Sequence, residues 1–300
     1  MYVPRNSSRS QWLEIRGHRY HVRCWGSEAD PLLVLLHGGR DASPTFQFLI
    51  DELKGKWRIV APDWLGHGLT SWAREGYRFT DYIADLHFLI EHYSPNEPVI
   101  IVGHSLGSNV AQPYAGTMPG RVKRLVSLDG FGFANESSDY LPQKLQAWIR
   151  GMKNPPSERH FNSIDEMAAR LQKANPRLER SKAEFLAQNV SREVADGRFA
   201  WAFDPKVRAP RAALYRFEEW AACLENIEAP VLAVSTGKHP NRLIDLSEVE
   251  YRIGLIPRCS RIHVENVGHN LHHEIPDLVA AKIESFLETG ELPPSEILQG

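Results

Sequence analysis

The chain has 300 residues, is 42% hydrophobic and carries a formal net charge of -2 at pH 7. That length admits one large α/β domain or one domain with an insertion, and the near-neutral balance gives no electrostatic pull toward nucleic acid or a membrane surface. Three scattered cysteines, Cys24, Cys223 and Cys259, fit neither a disulfide framework nor a cysteine metal site; with no apolar signal core in MYVPRNSSRSQW and no run of about 18 apolar residues, a cytoplasmic protein without a membrane partner is expected.

In chain order, WLEIRG and HRYHVRCWG read as two antiparallel strands joined at Gly17. LLVLLHGG is a continuous apolar strand ending in His37-Gly38-Gly39, and TFQFLIDELK has helical spacing. WRIVAPDWLGHG is a strand that stops at Asp63 and a glycine turn. DYIADLHFLIEHY is helical, PVIIVGHS is a β-branched strand, and RVKRLVSLDG is another strand after an intervening helix. The alternation from Leu32 to Asp129 predicts a parallel sheet with helices on both faces. From about Asn135 to Glu225 the text is polar and helical, punctuated by Pro155-Pro156, Pro176, Pro205 and Pro210, with no strand signal. Alternation resumes in APVLAVSTG, SRIHVENVGH and PDLVAAKIESFLE. The predicted organisation is a core over residues 1–134 and 226–300 and a helical cap over 135–225, set over the carboxyl ends of the strands, where α/β sheets bind ligands.

VGHSLGSN places Ser105 at the apex of a strand-to-helix turn with a glycine two residues to either side, the G-x-S-x-G pattern that lifts a hydroxyl clear of a sheet. Together with His37-Gly38-Gly39, the turn DWLGHGLTS and the closing VGHNLHHEIP, it makes four motifs in one order, each at a predicted strand end. In these motifs the chain resembles the α/β-hydrolase superfamily, specifically its lidded serine hydrolases, over about Gln11 to Glu288. The resemblance implies a mostly parallel eight-stranded sheet with helices on both faces and an inserted cap. It implies Ser105 as nucleophile, His269 on its glycine turn as base, and the main-chain N–H groups of Gly39 and Leu106 as oxyanion hole. His37 is expected to brace its loop. Arg40 faces either the substrate or solvent.

The acid departs from the family's common pattern, which places an Asp after the seventh strand. There this chain has His239, and the next acid is Asp245. Asp129, at the end of the sixth strand and 24 residues after Ser105, is the preferred acid, with Asp245 as the alternative. His272 and His273 follow His269 closely, but no carboxylate or cysteine stands at ligand spacing, so neither a metal nor another cofactor is expected. Aromatic residues after Asp129 and along the cap, Phe131, Phe133, Trp148, Trp201, Phe203 and Trp220, are read mostly as cap core, with Phe131, Trp148 and Trp220 as candidates to line an apolar or aromatic pocket.

The expected activity is cofactor-independent hydrolysis of a carboxylic ester or lactone through an acyl-enzyme. Carbon–carbon bond hydrolysis and acyl transfer share the same constellation. From a different class come a ligand receptor on the same fold, with the triad kept for slow turnover, and a cofactorless oxygenase that needs the His but not the Ser.

Overall fold

A computed structural model describes residues 2–237 and 244–300. His239, which stands where relatives carry the acid, lies outside the described residues. The chain opens on an antiparallel pair, β1 (Arg9–Ile15) and β2 (His18–Trp25), turned at Arg16 and Gly17, both with positive φ. Next come β3 (Leu32–Leu36), α1 (Gln47–Glu52), β4 (Arg58–Pro62), α2 (Phe79–Tyr93), β5 (Val99–His104), α3 (Leu106–Thr117) and β6 (Val122–Leu128). The middle of the chain holds α4 (Leu141–Lys153), β7 (His160–Phe161), α5 (Ile164–Ala174), α6 (Arg180–Asn189), β8 (Ser191–Glu193), β9 (Phe199–Trp201) and α7 (Phe217–Glu225). It closes with β10 (Val231–Thr236), α8 (Leu246–Gly254), β11 (Cys259–Glu265), α9 (Leu271–Glu274), α10 (Pro276–Thr289) and β12 (Glu296–Gln299).

The main sheet runs β1-β2-β4-β3-β5-β6-β10-β11-β12, with β2 antiparallel to its two neighbours and every later pairing parallel. Its inner strands β3, β5 and β10 are buried on both faces because both faces are covered. Val34, Leu36 and Ile101 point toward Leu86 and Leu89 of α2 and Val110 and Tyr114 of α3. Their neighbours Leu33, Leu35, Ile100 and Val102 point the other way, toward Phe46 and Leu49 near α1 and Ile283 and Phe286 of α10. A fully buried side chain of this size contributes about 2 kcal/mol of transfer free energy. Among the described residues no helix is long and apolar enough to cross a membrane.

Three features differ from the sequence expectation. The sheet has nine strands, not eight: β12 adds an edge beside β11, with alternate residues exposed. A four-residue edge strand in ELPPSEILQG carries no continuous apolar run, so its pattern is mute. The middle segment contains a small antiparallel sheet, β7-β9-β8, where only helices were expected. Strands of two and three residues are too short to show a period. Finally, α7, expected as the last cap helix, belongs to the core by packing. Phe217 and Leu224 are buried in the cluster that holds Val110 and Ala111 of α3, and Asn226 Nδ2 donates to the Gly116 carbonyl at 2.6 Å.

The rest of the cap has its own core, built from Phe161, Met167, Leu178, Phe185 and Leu186 and closed below by Phe48 of α1. It is stitched to the sheet along the DWLGHG turn. There Asp204 N donates to the Gly66 carbonyl at 2.8 Å, and Tyr77 donates its hydroxyl to Asp204 Oδ2 at 2.8 Å.

Candidate active site

Ser105 lies between β5 and α3 with φ 50° and ψ -111°. A non-glycine residue held there stores on the order of 1–3 kcal/mol of strain. The flanking glycines make the turn possible. A Cβ on Gly103 would stand 2.6 Å from the Ser108 nitrogen, and one on Gly107 would collide with the Leu36 carbonyl. The turn is pinned on both sides: Ser105 N donates to the Leu128 carbonyl at 2.9 Å, and Asn109 N donates back to the Ser105 carbonyl at 3.0 Å. Ser105 and Leu106 remain partly exposed while the strand beneath them is buried.

Leu106 is the first residue of α3, so its N–H is one of the groups that a helix start leaves without an intrahelical acceptor. Gly39 comes up against it: a methyl on Gly39 would sit 3.8 Å from Leu106 Cδ2. The structure therefore brings the two expected oxyanion donors to one place beside the serine. His37 holds the Gly39 loop from below. Its Nδ1 donates to the Gly38 carbonyl at 2.7 Å, its Nε2 accepts from Trp64 N at 3.0 Å, and Trp64 Nε1 donates to the His37 carbonyl at 2.9 Å. Arg40 is exposed on this loop, with φ 64°.

His269 and Asp129 meet, with Nδ1 to Oδ2 at 2.7 Å. The carboxylate is almost wholly buried, at 4% side-chain exposure, against 21% for the imidazole. Asp129 follows β6 with φ 46°, its N donating to the Val234 carbonyl at 2.8 Å, and its Oδ1 accepts Thr236 N at 3.2 Å. Both anchors come from β10, the neighbouring strand, so the sheet itself aims the carboxylate. Side chains of α3 hold the following loop: Gln112 Nε2 donates to the Gly130 carbonyl at 2.7 Å, and Asn109 Oδ1 accepts Gly132 N at 2.7 Å. Asp245, the alternative acid, is exposed at the start of α8.

The turn bearing His269 is held by Glu274, whose Oε2 accepts Gly268 N at 2.9 Å and whose Oε1 accepts Asn175 Nδ2 of the cap at 2.9 Å. Lys182 of the cap donates to the His273 carbonyl at 3.1 Å. The segment between β6 and β10 thus grips the loop that carries His269. Sequence reasoning noted Glu274 only as part of a motif and missed Asn109, Gln112 and Thr236, whose polar atoms find their partners only through the fold. His104 was likewise passed over. Its Nε2 donates to the His269 carbonyl at 2.8 Å, and its place just before the serine was the available signal.

Asp63 does not reach this site. It is buried, receives Ser43 N at 2.7 Å and Leu69 N at 3.0 Å, and lies 2.8 Å from His21 Nδ1. Burial alone would raise its pKa, but the His21 contact outweighs it and holds the carboxyl at about 2.

Two of the three aromatic candidates for the pocket are packing residues. The Phe131 ring is buried with Ala233, Val249 and Ile253 under α8. Trp220 stands edge-on to Phe79 at 5.2 Å between ring centres and stacks near Tyr215. Phe131 is drawn into the core by the loop after Asp129, whereas Trp220 stays half-buried against its aromatic neighbours. Trp148 is exposed on α4, in a stripe with Leu141, Leu145, Ile149 and Met152.

A sequence model of the family described as alpha/beta hydrolase fold matches residues 31–276. The chain is similar to a serine hydrolase-like protein of Danio rerio, 29% identical over 294 residues that cover 92% of this chain and 86% of that protein. It is also similar to serine hydrolase-like protein 2 of Homo sapiens, 27% identical over 298 residues, covering 92% and 93%. Among solved structures it superposes on a thioesterase domain from the curacin biosynthetic pathway with a TM-score of 0.85 at 23% identity, over 93% of this chain and 100% of that domain.

Proposed function

We propose that the chain, which belongs to the α/β-hydrolase family, is a serine hydrolase that cleaves an apolar or aromatic carboxylic ester or lactone through Ser105, His269 and Asp129. The observation that carries the reading is the 2.7 Å contact between His269 Nδ1 and Asp129 Oδ2, on a turn next to a serine held at positive φ. A carboxylate on Nδ1 fixes the tautomer and assigns Nε2 as the nitrogen that takes the Ser105 proton. Ser105 Oγ then attacks the carbonyl carbon, and the oxyanion that forms is received by the N–H groups of Gly39 and Leu106. The tetrahedral species collapses as His269 returns the proton to the leaving oxygen. Water, deprotonated by the same imidazole, releases the acid and restores the serine. No cofactor enters any of these steps.

The exposed apolar stripe on α4 supports an apolar substrate. It lies on the cap, where the family's fold places specificity, and Trp148 is its largest ring. In this reading Arg40, exposed just beyond Gly39, meets a polar part of the substrate. A fluorophosphonate probe, followed by peptide mapping, tests the nucleophile: stoichiometric label on Ser105 is expected, and label on another serine overturns the assignment. A panel of aryl esters and lactones of graded acyl length then identifies the substrate class.

A further inference from the structure

Three loops build the proposed active site, and each carries a second polar residue just behind it. Asp41 stands two residues after Gly39, His104 immediately precedes Ser105, and His272 comes three residues after His269. These three fall together: one ligand-capable atom of each lies within 4.8 Å of those of the other two. His104 and His272 are 2% and 0% exposed, and the Nδ1 atoms of both have no hydrogen-bond partner.

The hydrogen bonds that are made decide what those two nitrogens offer. The Nε2 of His104 faces the His269 carbonyl, which can only accept, so this nitrogen carries the proton and Nδ1 bears a bare lone pair. The Nε2 of His272 lies 3.1 Å from Thr45 Oγ1, whose hydroxyl also lies 2.5 Å from His273 Nε2. With Thr45 donating to His273 and accepting from His272, the Nδ1 of His272 is a second bare lone pair. Asp41 supplies the charge. Its Oδ1 accepts Ala42 N at 2.9 Å, and the residue is partly exposed, next in the chain to the exposed Gly39 and Arg40.

We infer that Asp41, His104 and His272 form a binding site for a divalent transition metal of the zinc class, and that its occupation switches the hydrolase off. Two imidazoles and one carboxylate are a donor set that suits zinc, copper or nickel better than magnesium or calcium. A tetrahedral ion with bonds of about 2.1 Å holds its ligand atoms about 3.4 Å apart, so the side chains close on it with shifts of about an ångström. Inhibition follows from position. The rings of His104 and His269 are 4.8 Å apart between centres, so a dication on His104 opposes the imidazolium that His269 must become during attack. It also ties together the three loops that must adjust as the oxyanion forms. The inhibitory half rests on the serine-hydrolase reading above. The metal site itself does not.

The test uses the full chain, stripped with a chelator and titrated with Zn²⁺ by calorimetry, with Co²⁺ absorption as a second readout. One ion per chain with a dissociation constant below about 10 μM is expected. Asp41→Asn and His272→Gln are each expected to weaken it at least about tenfold, as loss of a ligand does. Asp41 is partly exposed, so its variant serves even where the buried His272 variant folds poorly. Saturating Zn²⁺ is expected to lower aryl-ester turnover at least about tenfold, with recovery on chelation. No stoichiometric binding up to about 1 mM, or binding unmoved by both substitutions, overturns the site. Ligand-dependent binding that leaves turnover unchanged overturns the switch. If Ser105 takes no fluorophosphonate and no ester is cleaved, the hydrolase reading has failed, and calorimetry still decides the metal site.

Discussion

Asp129 Oδ2 lies 2.7 Å from His269 Nδ1, although 140 residues separate them in the chain. The carboxylate is aimed by backbone groups of β10 and not by its own loop. Exchanging it for an amide keeps the shape and removes the charge that stabilises an imidazolium, a change that costs about 10⁴ in turnover in the well-studied triad. Asp129→Asn is expected to lose kcat on that order, whereas Asp245→Asn loses less than about tenfold. Steady-state kinetics of the two variants on one aryl ester decide between them; equal losses would remove Asp129 from its role.

Ser105 combines strain with its proposed chemistry. Ser105→Ala is expected to lower turnover about a million-fold while the protein stays folded. Ser105→Gly is equally inactive but accepts a φ of 50° without penalty, so it is expected to be more stable than the alanine variant by about 1 kcal/mol. Urea denaturation of the pair measures this. A glycine variant less stable than the alanine one would contradict the strain argument.

Glu274 joins the His269 turn to the cap through two hydrogen bonds. Glu274→Ala leaves the Gly268 N–H and the Asn175 amide without their acceptor, at a cost of about 2 kcal/mol in stability. Because the turn that loosens carries the proposed base, kcat is expected to fall more than KM rises, with partial rescue by Glu274→Gln. A variant that loses stability but keeps kcat would make Glu274 purely structural.

Buried neutral histidines set the acid limit of stability. Burial lowers the pKa of His37, His67, His104, His272 and His273, with His67 and His273 held at about 3. Their unfolded forms take up protons below about pH 6.5 and the folded forms do not, so stability falls as pH drops from about 6.5 toward 3. His67 alone accounts for about 2 kcal/mol between pH 6.5 and 5. Asp63, held at about 2, adds a second loss between about pH 4 and 2, where the unfolded carboxyl protonates first. Chemical denaturation at pH 7.5, 6 and 5 checks the sign; a flat profile would mean that these histidines are reachable by protons in the fold.

Trp148 is exposed, so Trp148→Ala is expected to change stability by less than about 0.5 kcal/mol. If the stripe on α4 receives the apolar part of the substrate, KM rises for long acyl chains and not for acetate esters. Thermal melts and a chain-length series separate this from a packing role. Uniform KM values across the series would free Trp148 of any part in specificity.

The sequence by itself determined the mostly parallel sheet and the place of the serine turn. Each rests on local physics. Strands buried on both faces are written as unbroken apolar runs, and a strained turn is written as glycines at fixed offsets from Ser105. What it could not determine lies where contacts cross the chain. β12 and the strands of the cap are too short for a period to show. Phe131 and helix α7 read like pocket and cap, because aromatic residues look alike whether they line a cavity or fill a core. The proposed acid was open between Asp129 and Asp245, since His239 stands at the family's common position after the seventh strand. Only the pairing of β6 with β10 brings one of them to the imidazole. The same holds for Asp41, His104 and His272. No ligand spacing links them along the chain, and they meet only because the segments after β3 and β11 fold back over the end of β5.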